Sequence, residues 1–73
     1  MMIRQKIDGE YIKLGQLLKL VGFAETGVQA KYAIQNGEVL VNQKVCNNRG
    51  KKLYNGDLVK YKDVVIEVLV DVS

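Results

Sequence analysis

Positive charge is concentrated in the middle of this sequence, where it could bind a polyanion. The segment from Lys13 to Lys62 contains nine lysines and arginines but only three carboxylates, so its net charge is +6, whereas the whole chain of 73 residues has a net charge of +3. A basic surface of this kind attracts phosphate-bearing polymers, although many solvated surfaces have the same composition. The segment is therefore the first place to look for a binding site.

The densest part of this segment is the run Arg49-Gly50-Lys51-Lys52. Guanidinium and ammonium groups both bind phosphates, and a glycine between them lets the backbone approach a phosphate closely. Three charges in a polar loop are also common where the loop contacts only solvent. The run alone leaves both interpretations open.

The side chains that most often catalyse reactions or bind metals are scarce. The chain has no histidine, a single cysteine and no glycine-rich loop of the P-loop type, and its few carboxylates are scattered over turns and strands. We therefore expect no enzymatic activity, no cofactor, no metal site and no small-molecule substrate. Cys46 has no second cysteine to pair with, and we expect it to be a small buried residue in a strand.

Length and composition are typical of one small globular domain. Apolar residues make up 48% and charged residues 26% of the chain, which is the balance of such domains. No run of about 18 apolar residues could form a transmembrane helix, and the N-terminus lacks the pattern of a secretory signal. We expect a single domain over residues 1–73, located in the cytoplasm and without membrane contact.

A short strand and a first amphipathic helix are predicted in the N-terminal third. Residues 3–7 alternate between apolar and polar, and Asp8-Gly9 can form the turn that follows. Apolar residues then lie at positions 14, 17, 18 and 21, which is the spacing of one helix face. Gly22 supplies the left-handed stop that ends this helix.

A second helix is predicted between Thr26, whose hydroxyl can cap it, and Asn36-Gly37, which ends it. Three apolar residues form its buried stripe: Ala30, Ala33 and Ile34. Lys31 lies on the flank of this stripe, whereas Val28 and Tyr32 point away from it, four residues apart. That pair is either a partly exposed pair under the N-terminal strand or a contact surface.

Two β-hairpins are predicted in the second half of the chain. Residues 38–41 form a strand, Asn42-Gln43 a two-residue turn, and residues 44–46 the start of the return strand. Residues 58–61 and 64–70 then pair as a terminal hairpin around Lys62-Asp63. The predicted fold class is α+β, with two helices packed on a small, mostly antiparallel sheet in the order helix-loop-helix followed by β-hairpins.

These elements resemble the S-four domain, an RNA-binding module named after ribosomal small-subunit protein four. The most specific part of the resemblance is a series of six residues at the family's spacing: Ala30, Ile34, Gly37, Val39, Val41 and Asn42. Further matching residues extend the resemblance over residues 13–61: Leu14, Leu18, Gly22, Thr26, Gly56 and Asp57. In that family the two helices and the following hairpin build one RNA-binding face, and the chain is most similar to the short stand-alone bacterial members.

The resemblance assigns candidate RNA-binding residues position by position. Lys13 stands where the family usually has arginine, and Thr26-Gly27 stands where serine-arginine is common. Thr26 can still offer a hydroxyl, and Gly27 leaves the first backbone N–H groups of the helix open to a phosphate. Lys31 then supplies the charge one turn further along. The sequence also departs from the family at Gly15, in place of aspartate, and at Gln43, in place of the turn glycine.

With the resemblance, the basic loop becomes the second half of the candidate site. The family binds RNA near this region, which favours phosphate contacts by Arg49, Lys51 and Lys52 over a merely solvated loop. Lys44 in the hairpin turn and Lys19 on the polar side of the first helix are weaker candidates. The aromatic residues form no stacking platform in the sequence, so we expect recognition through RNA shape and phosphates.

The predicted function is non-catalytic binding of structured RNA, such as rRNA or tRNA, through the second helix and the basic loop. The role would be ribosome assembly or translation-related RNA handling, with RNA and a ribosomal particle as partners. The alternative is a protein-interaction adaptor that uses Val28, Tyr32 and the acidic C-terminal strand with Asp63, Glu67 and Asp71. Steep salt dependence with RNA favours the first function, and a salt-insensitive protein complex favours the second.

Overall fold

Seven strands and two helices make up the structure, a computed structural model that describes residues 1–70. In chain order they are β1 (Met2–Ile7), β2 (Ile12–Lys13), α1 (Leu14–Leu20), α2 (Gly27–Gln35), β3 (Val39–Val41), β4 (Lys44–Val45), β5 (Lys52–Leu53), β6 (Leu58–Tyr61) and β7 (Val64–Val70).

Five of the strands form one mixed sheet in the order β1-β7-β6-β3-β4. The β1–β7 pair is parallel, and the other three pairs are antiparallel. The terminal hairpin closes with Tyr61 opposite Val64, and Lys62 in its turn has a φ of +56°. The prediction of two helices on a small, mostly antiparallel sheet is confirmed.

Side chains alternate between the two faces of this sheet, so one face is buried. Val41, Val59 and Ile66 are paired across β3, β6 and β7, and all three are buried. They share one core cluster with the buried residues of both helices: Leu14, Leu17, Leu18, Ala30 and Ile34. On the opposite face Lys60 lies between Leu40 and Val65 and is exposed to solvent.

Both helices have the ends that the sequence predicts. Gly22 follows α1 with a φ of +85°, which a glycine adopts without strain. Thr26 precedes α2, and its hydroxyl oxygen accepts a hydrogen bond from the Gln29 N–H at 3.2 Å. The Asn42-Gln43 turn is also confirmed, since both residues have a positive φ, +50° and +73°, as the type I′ hairpin turn requires.

Two details differ from the sequence predictions. The basic loop ends in a strand, β5, which pairs with β2 and places Ile12 opposite Leu53 and Lys13 opposite Lys52. A ladder of two residue pairs is too short to show a hydrophobic period. Cys46 is half-buried rather than buried. It lies just beyond the end of β4, where its N–H still donates to the Val39 carbonyl oxygen at 3.1 Å, and its thiol packs at the rim of the core.

The protein-interaction alternative needs an exposed Val28–Tyr32 pair and an acidic C-terminal strand, and the structure has the first of these. Val28 and Tyr32 are 58% and 59% exposed, so they are a surface pair. The N-terminal strand does not cover them, and it pairs with β7 from Met2 to Ile7. Glu67 on β7 pairs with Arg4, with 3.0 Å between Oε1 and Nε, whereas Asp71 lies outside the described residues. Neither helix within residues 1–70 is long and apolar enough to cross a membrane.

Candidate nucleic-acid interface

The basic loop is fixed to the start of α1 by backbone hydrogen bonds. The Leu14 N–H donates to the Lys51 carbonyl oxygen at 2.9 Å, and the Gly15 N–H donates to the Arg49 carbonyl oxygen at 3.0 Å. The first N–H groups of a helix have no partner within the helix, so the loop satisfies two of them. The cations of the loop are therefore held at a defined position beside α1.

Asn48 gives the loop its internal shape. Its side-chain oxygen accepts a hydrogen bond from the Gly50 N–H at 2.9 Å, and its backbone oxygen accepts one from the Lys51 N–H at 3.1 Å. Such a side-chain bond two residues along the chain is the usual asparagine turn. Arg49 thus projects from an ordered turn, which lowers the entropy that the loop would lose on binding a ligand.

Arg49 lies between two open clefts of the surface. The first, which we call the α1–α2 cleft, has a volume of about 270 Å³, and its lining includes Lys13, Gln16, Lys19, Gly27, Arg49 and Gly50. The second, the α2–loop cleft, has a volume of about 280 Å³, and its lining includes Lys31, Gln35, Asn47, Asn48 and Arg49. Because both clefts share Arg49, four cations from three parts of the chain border one continuous surface.

The N-terminus of α2 opens into the α1–α2 cleft. Apart from its chain neighbours and the nearby backbone of α2, no atom lies within 4 Å of the position that a Cβ of Gly27 would take, so the backbone there is accessible. The Thr26 hydroxyl accepts the capping bond from Gln29 and keeps its own hydrogen to donate. The partial positive charge of the helix N-terminus adds to the charge of Lys13, Lys19 and Arg49.

The other candidate lysines lie beside this surface or point away from it. Lys44 and Lys51 share a third depression with Asn42 and Asn47, along the β3–β4 hairpin. Lys52 is opposite Lys13 on the β2–β5 ladder, but its Nζ lies 4.9 Å from the ring centroid of Tyr11. The structure therefore gathers Lys13, Lys19, Lys31 and Arg49 around the two clefts, and it places Lys44, Lys51 and Lys52 at their margins.

The cations around the clefts have no ionic partner among residues 1–70. The ion pair of this part of the chain, Arg4 with Glu67, lies on the opposite face of the sheet. Uncompensated cations attract polyanions, and the narrow depressions between them concentrate the field. The arrangement can therefore bind a series of phosphates, with the Arg49 guanidinium able to contact one phosphate through two N–H groups.

The structure also brings together two tyrosines that the sequence keeps 43 positions apart. The ring centroids of Tyr11 and Tyr54 are 6.0 Å apart with an angle of 50° between the rings, and their exposed fractions are 40% and 50%. Sequence reasoning missed this pair, because the β2–β5 ladder that joins the two segments leaves no periodic signal. Tyr11 borders a further depression, the Tyr11 groove, of about 550 Å³, whose lining includes Lys6, Asp8, Tyr11, Gln16, Lys19 and Leu20.

Comparison with known proteins gives a consistent result. A family model described as the S4 domain, the S-four domain of the sequence resemblance, matches residues 5–69. The chain is 50% identical over 54 residues to a probable ribosome maturation protein, RlbA, of Bacillus subtilis. The aligned region covers 74% of this chain and 76% of the relative. It is 36% identical over 59 residues to a putative RNA-binding protein, YbcJ, of Escherichia coli, which covers 81% of this chain and 84% of the relative.

A solved structure has the same fold. The solution structure of YbcJ from Escherichia coli superposes on this chain with a TM-score of 0.66 and 31% sequence identity, covering 93% of this chain and 85% of YbcJ. That structure is described as revealing an alfaL motif involved in RNA binding. Fold and sequence therefore agree on the same group of proteins.

Proposed function

Since this chain belongs to the S4 domain family, we propose that it is a non-catalytic protein that binds structured RNA through the two clefts around Arg49. The relatives named as an RNA-binding protein and as a ribosome maturation protein support this function. The observation that carries it is the shared position of Arg49 between the α1–α2 cleft and the α2–loop cleft. One RNA backbone that crosses Arg49 would meet cations on both sides.

The proposed site makes two kinds of contact: some position the RNA, and others add general electrostatic attraction. Arg49, Lys31 and Lys13 border the clefts, and Gly27 gives a phosphate access to the start of α2. Thr26 donates its hydroxyl hydrogen at the same end of the helix. Lys44, Lys51 and Lys52 lie at the margin, where they extend the positive field without entering the clefts.

The proposed target is structured rRNA or tRNA, and the proposed role is ribosome assembly or a related step in the cytoplasm, with the domain bound to a ribosomal particle. The described residues extend over 36 × 21 × 18 Å, which is small beside a folded RNA. About three to five phosphates can therefore contact the basic surface at once, and shape should contribute much of the selectivity. We propose that residues 1–73 act as one domain in this role.

The test is a titration of fluorescently labelled rRNA or tRNA fragments with the purified full chain, followed by anisotropy at several salt concentrations. With three to five contacts on unpaired RNA, the logarithm of the affinity should fall by about 2 to 3.5 units per tenfold rise in salt. Binding that is absent at low salt would refute the proposed function. Crosslinking in cells followed by sequencing of the bound RNA would then identify the target.

A second candidate function is contact with a protein through Val28 and Tyr32. The observation that favours it is their exposure, 58% and 59%, one helical turn apart on α2. Replacing both with serine should abolish a protein complex of this kind and leave RNA affinity unchanged. A complex that persists at high salt and is lost in this variant would favour the adaptor role.

A further inference from the structure

The Tyr11 groove continues directly from the proposed RNA-binding surface. Gln16 and Lys19 of α1 line both the Tyr11 groove and the α1–α2 cleft, so the two depressions adjoin at these side chains. An RNA strand bound at Arg49 and Lys19 would therefore lie next to the Tyr11 groove. The volume of about 550 Å³ lies within the range of about 300 to 1,000 Å³ that small-molecule pockets have.

The chemistry of the groove differs from that of the clefts around Arg49. Its wall combines the ring of Tyr11 with the exposed side chain of Leu20, so it presents apolar area beside two lysines. It also contains the carboxylate of Asp8, which repels a phosphate but can accept hydrogen bonds from base N–H groups. The groove is therefore better suited to a nucleobase than to a further phosphate.

Two side chains contact the Tyr11 ring. Lys52 Nζ lies 4.9 Å from the Tyr11 ring centroid, and the Tyr54 ring packs at an angle against Tyr11. The backbone of Tyr54 is held by its N–H, which donates to Asp57 Oδ2 at 2.7 Å. These contacts restrict the Tyr11 ring, which lowers the entropy lost when a base stacks on it.

We propose that the Tyr11 groove receives one unpaired nucleobase of the bound RNA, stacked against Tyr11, while Lys19 contacts the adjacent phosphate. This inference rests on the proposed RNA-binding function and adds to it a preference for RNA with unpaired bases. Stacking needs a base whose π-face is free, so the domain distinguishes RNA with an unpaired loop or bulge from a continuous duplex. The clefts around Arg49 bind the backbone of either kind of RNA.

The experiment compares two labelled RNAs with the same number of phosphates: a hairpin with an unpaired loop and a blunt-ended duplex. Tyr11→Ala should weaken binding of the hairpin by about 5- to 150-fold, as expected for the loss of one stacked base, and leave duplex binding unchanged. Tyr11→Phe keeps the ring and should bind the hairpin as the wild type does. Tyr32→Ala, which removes an exposed tyrosine from α2, is the matched control and should affect neither RNA.

The outcomes separate this inference from the proposed function. If the wild type binds neither RNA, both fail. If the wild type binds both RNAs and Tyr11→Ala weakens both equally, or neither, the RNA-binding function stands and the base-stacking inference is refuted.

A second measurement does not depend on the folding of a variant: photo-crosslinking of the wild type to a hairpin with 4-thiouridine in its loop. Crosslinks within the Tyr11 groove support the inference, and crosslinks confined to other surfaces overturn it.

Discussion

Replacing Asn42 with alanine would test the network that joins two turns of the sheet. Asn42 Oδ1 accepts a hydrogen bond from the Leu58 N–H at 3.0 Å, and Asn42 Nδ2 donates to Asp57 Oδ1 at 3.2 Å. The other carboxylate oxygen of Asp57 accepts from the Tyr54 N–H at 2.7 Å. The Asn42 amide therefore links the β3–β4 turn to the turn that carries Tyr54.

We expect Asn42→Ala to lower the free energy of unfolding by about 2 to 5 kcal/mol. The two side-chain hydrogen bonds contribute about 0.5 to 1.5 kcal/mol each. Asn42 also has a φ of +50°, and alanine costs about 1 to 2 kcal/mol in this left-handed region. A chain of 73 residues has a total stability of only about 4 to 11 kcal/mol, so the loss is a large fraction of it.

Urea unfolding followed by circular dichroism measures this loss. Asn42→Gly is the matched control, because glycine adopts the positive φ without strain but lacks both side-chain hydrogen bonds. The glycine variant should therefore be less stable than the wild type and more stable than the alanine variant. An unchanged urea midpoint for Asn42→Ala would refute the reasoning, as would a glycine variant that is less stable than the alanine variant.

Three further changes have smaller expected effects. Thr26→Ala removes the cap of α2 and should lower the free energy of unfolding by about 1 kcal/mol in the same urea assay, whereas Thr26→Ser should not; equal stability of all three proteins would contradict the cap. Cys46→Val should change stability by at most about 2 kcal/mol and leave RNA affinity unchanged in an anisotropy titration, since the thiol packs at the rim of the core. Arg4→Ala should cost less than about 1 kcal/mol because its ion pair with Glu67 is exposed to solvent, and a larger loss on urea unfolding would show that the pair is stronger than a surface pair.

The elements of the fold that depend on local rules could be predicted from the sequence. Gly22 ends α1, Thr26 caps α2, and the Asn42-Gln43 turn sets the first hairpin, because glycine, threonine and asparagine act on their immediate neighbours. The β2–β5 ladder could not be predicted, since two residue pairs carry no period. The prediction that Cys46 is buried in a strand was also wrong, because its burial depends on where the short strand β4 ends, at Val45.

The candidate site could be predicted only as a set of charges. Composition and the family resemblance indicate Lys31, Arg49 and their neighbours, but the clefts depend on how the loop packs against α1. The Tyr11–Tyr54 pair depends on the β2–β5 ladder, so no pattern of residues indicates it. Positions that tertiary pairing creates were therefore the ones that sequence reasoning missed.

RNA phosphates at the clefts around Arg49 should make binding there depend on salt. This can be tested by comparing the salt dependence of RNA affinity for two double variants that each remove two positive charges. Lys31→Gln/Arg49→Gln removes cations from the clefts. Arg4→Gln/Lys60→Gln removes them from the opposite face of the sheet, where Arg4 is paired with Glu67 and Lys60 lies between Leu40 and Val65.

The salt slope decides between a site and general attraction. If Lys31 and Arg49 each contact a phosphate, the cleft variant should lose about 1.4 units of slope, which corresponds to about 25-fold weaker binding at 0.1 M salt. The variant of the opposite face should keep the slope of the wild type, because neither Arg4 nor Lys60 lines a cleft and both lie on the face of the sheet away from the core. Equal losses of slope and affinity in the two variants, with circular dichroism showing that both are folded, would contradict phosphate binding at the clefts.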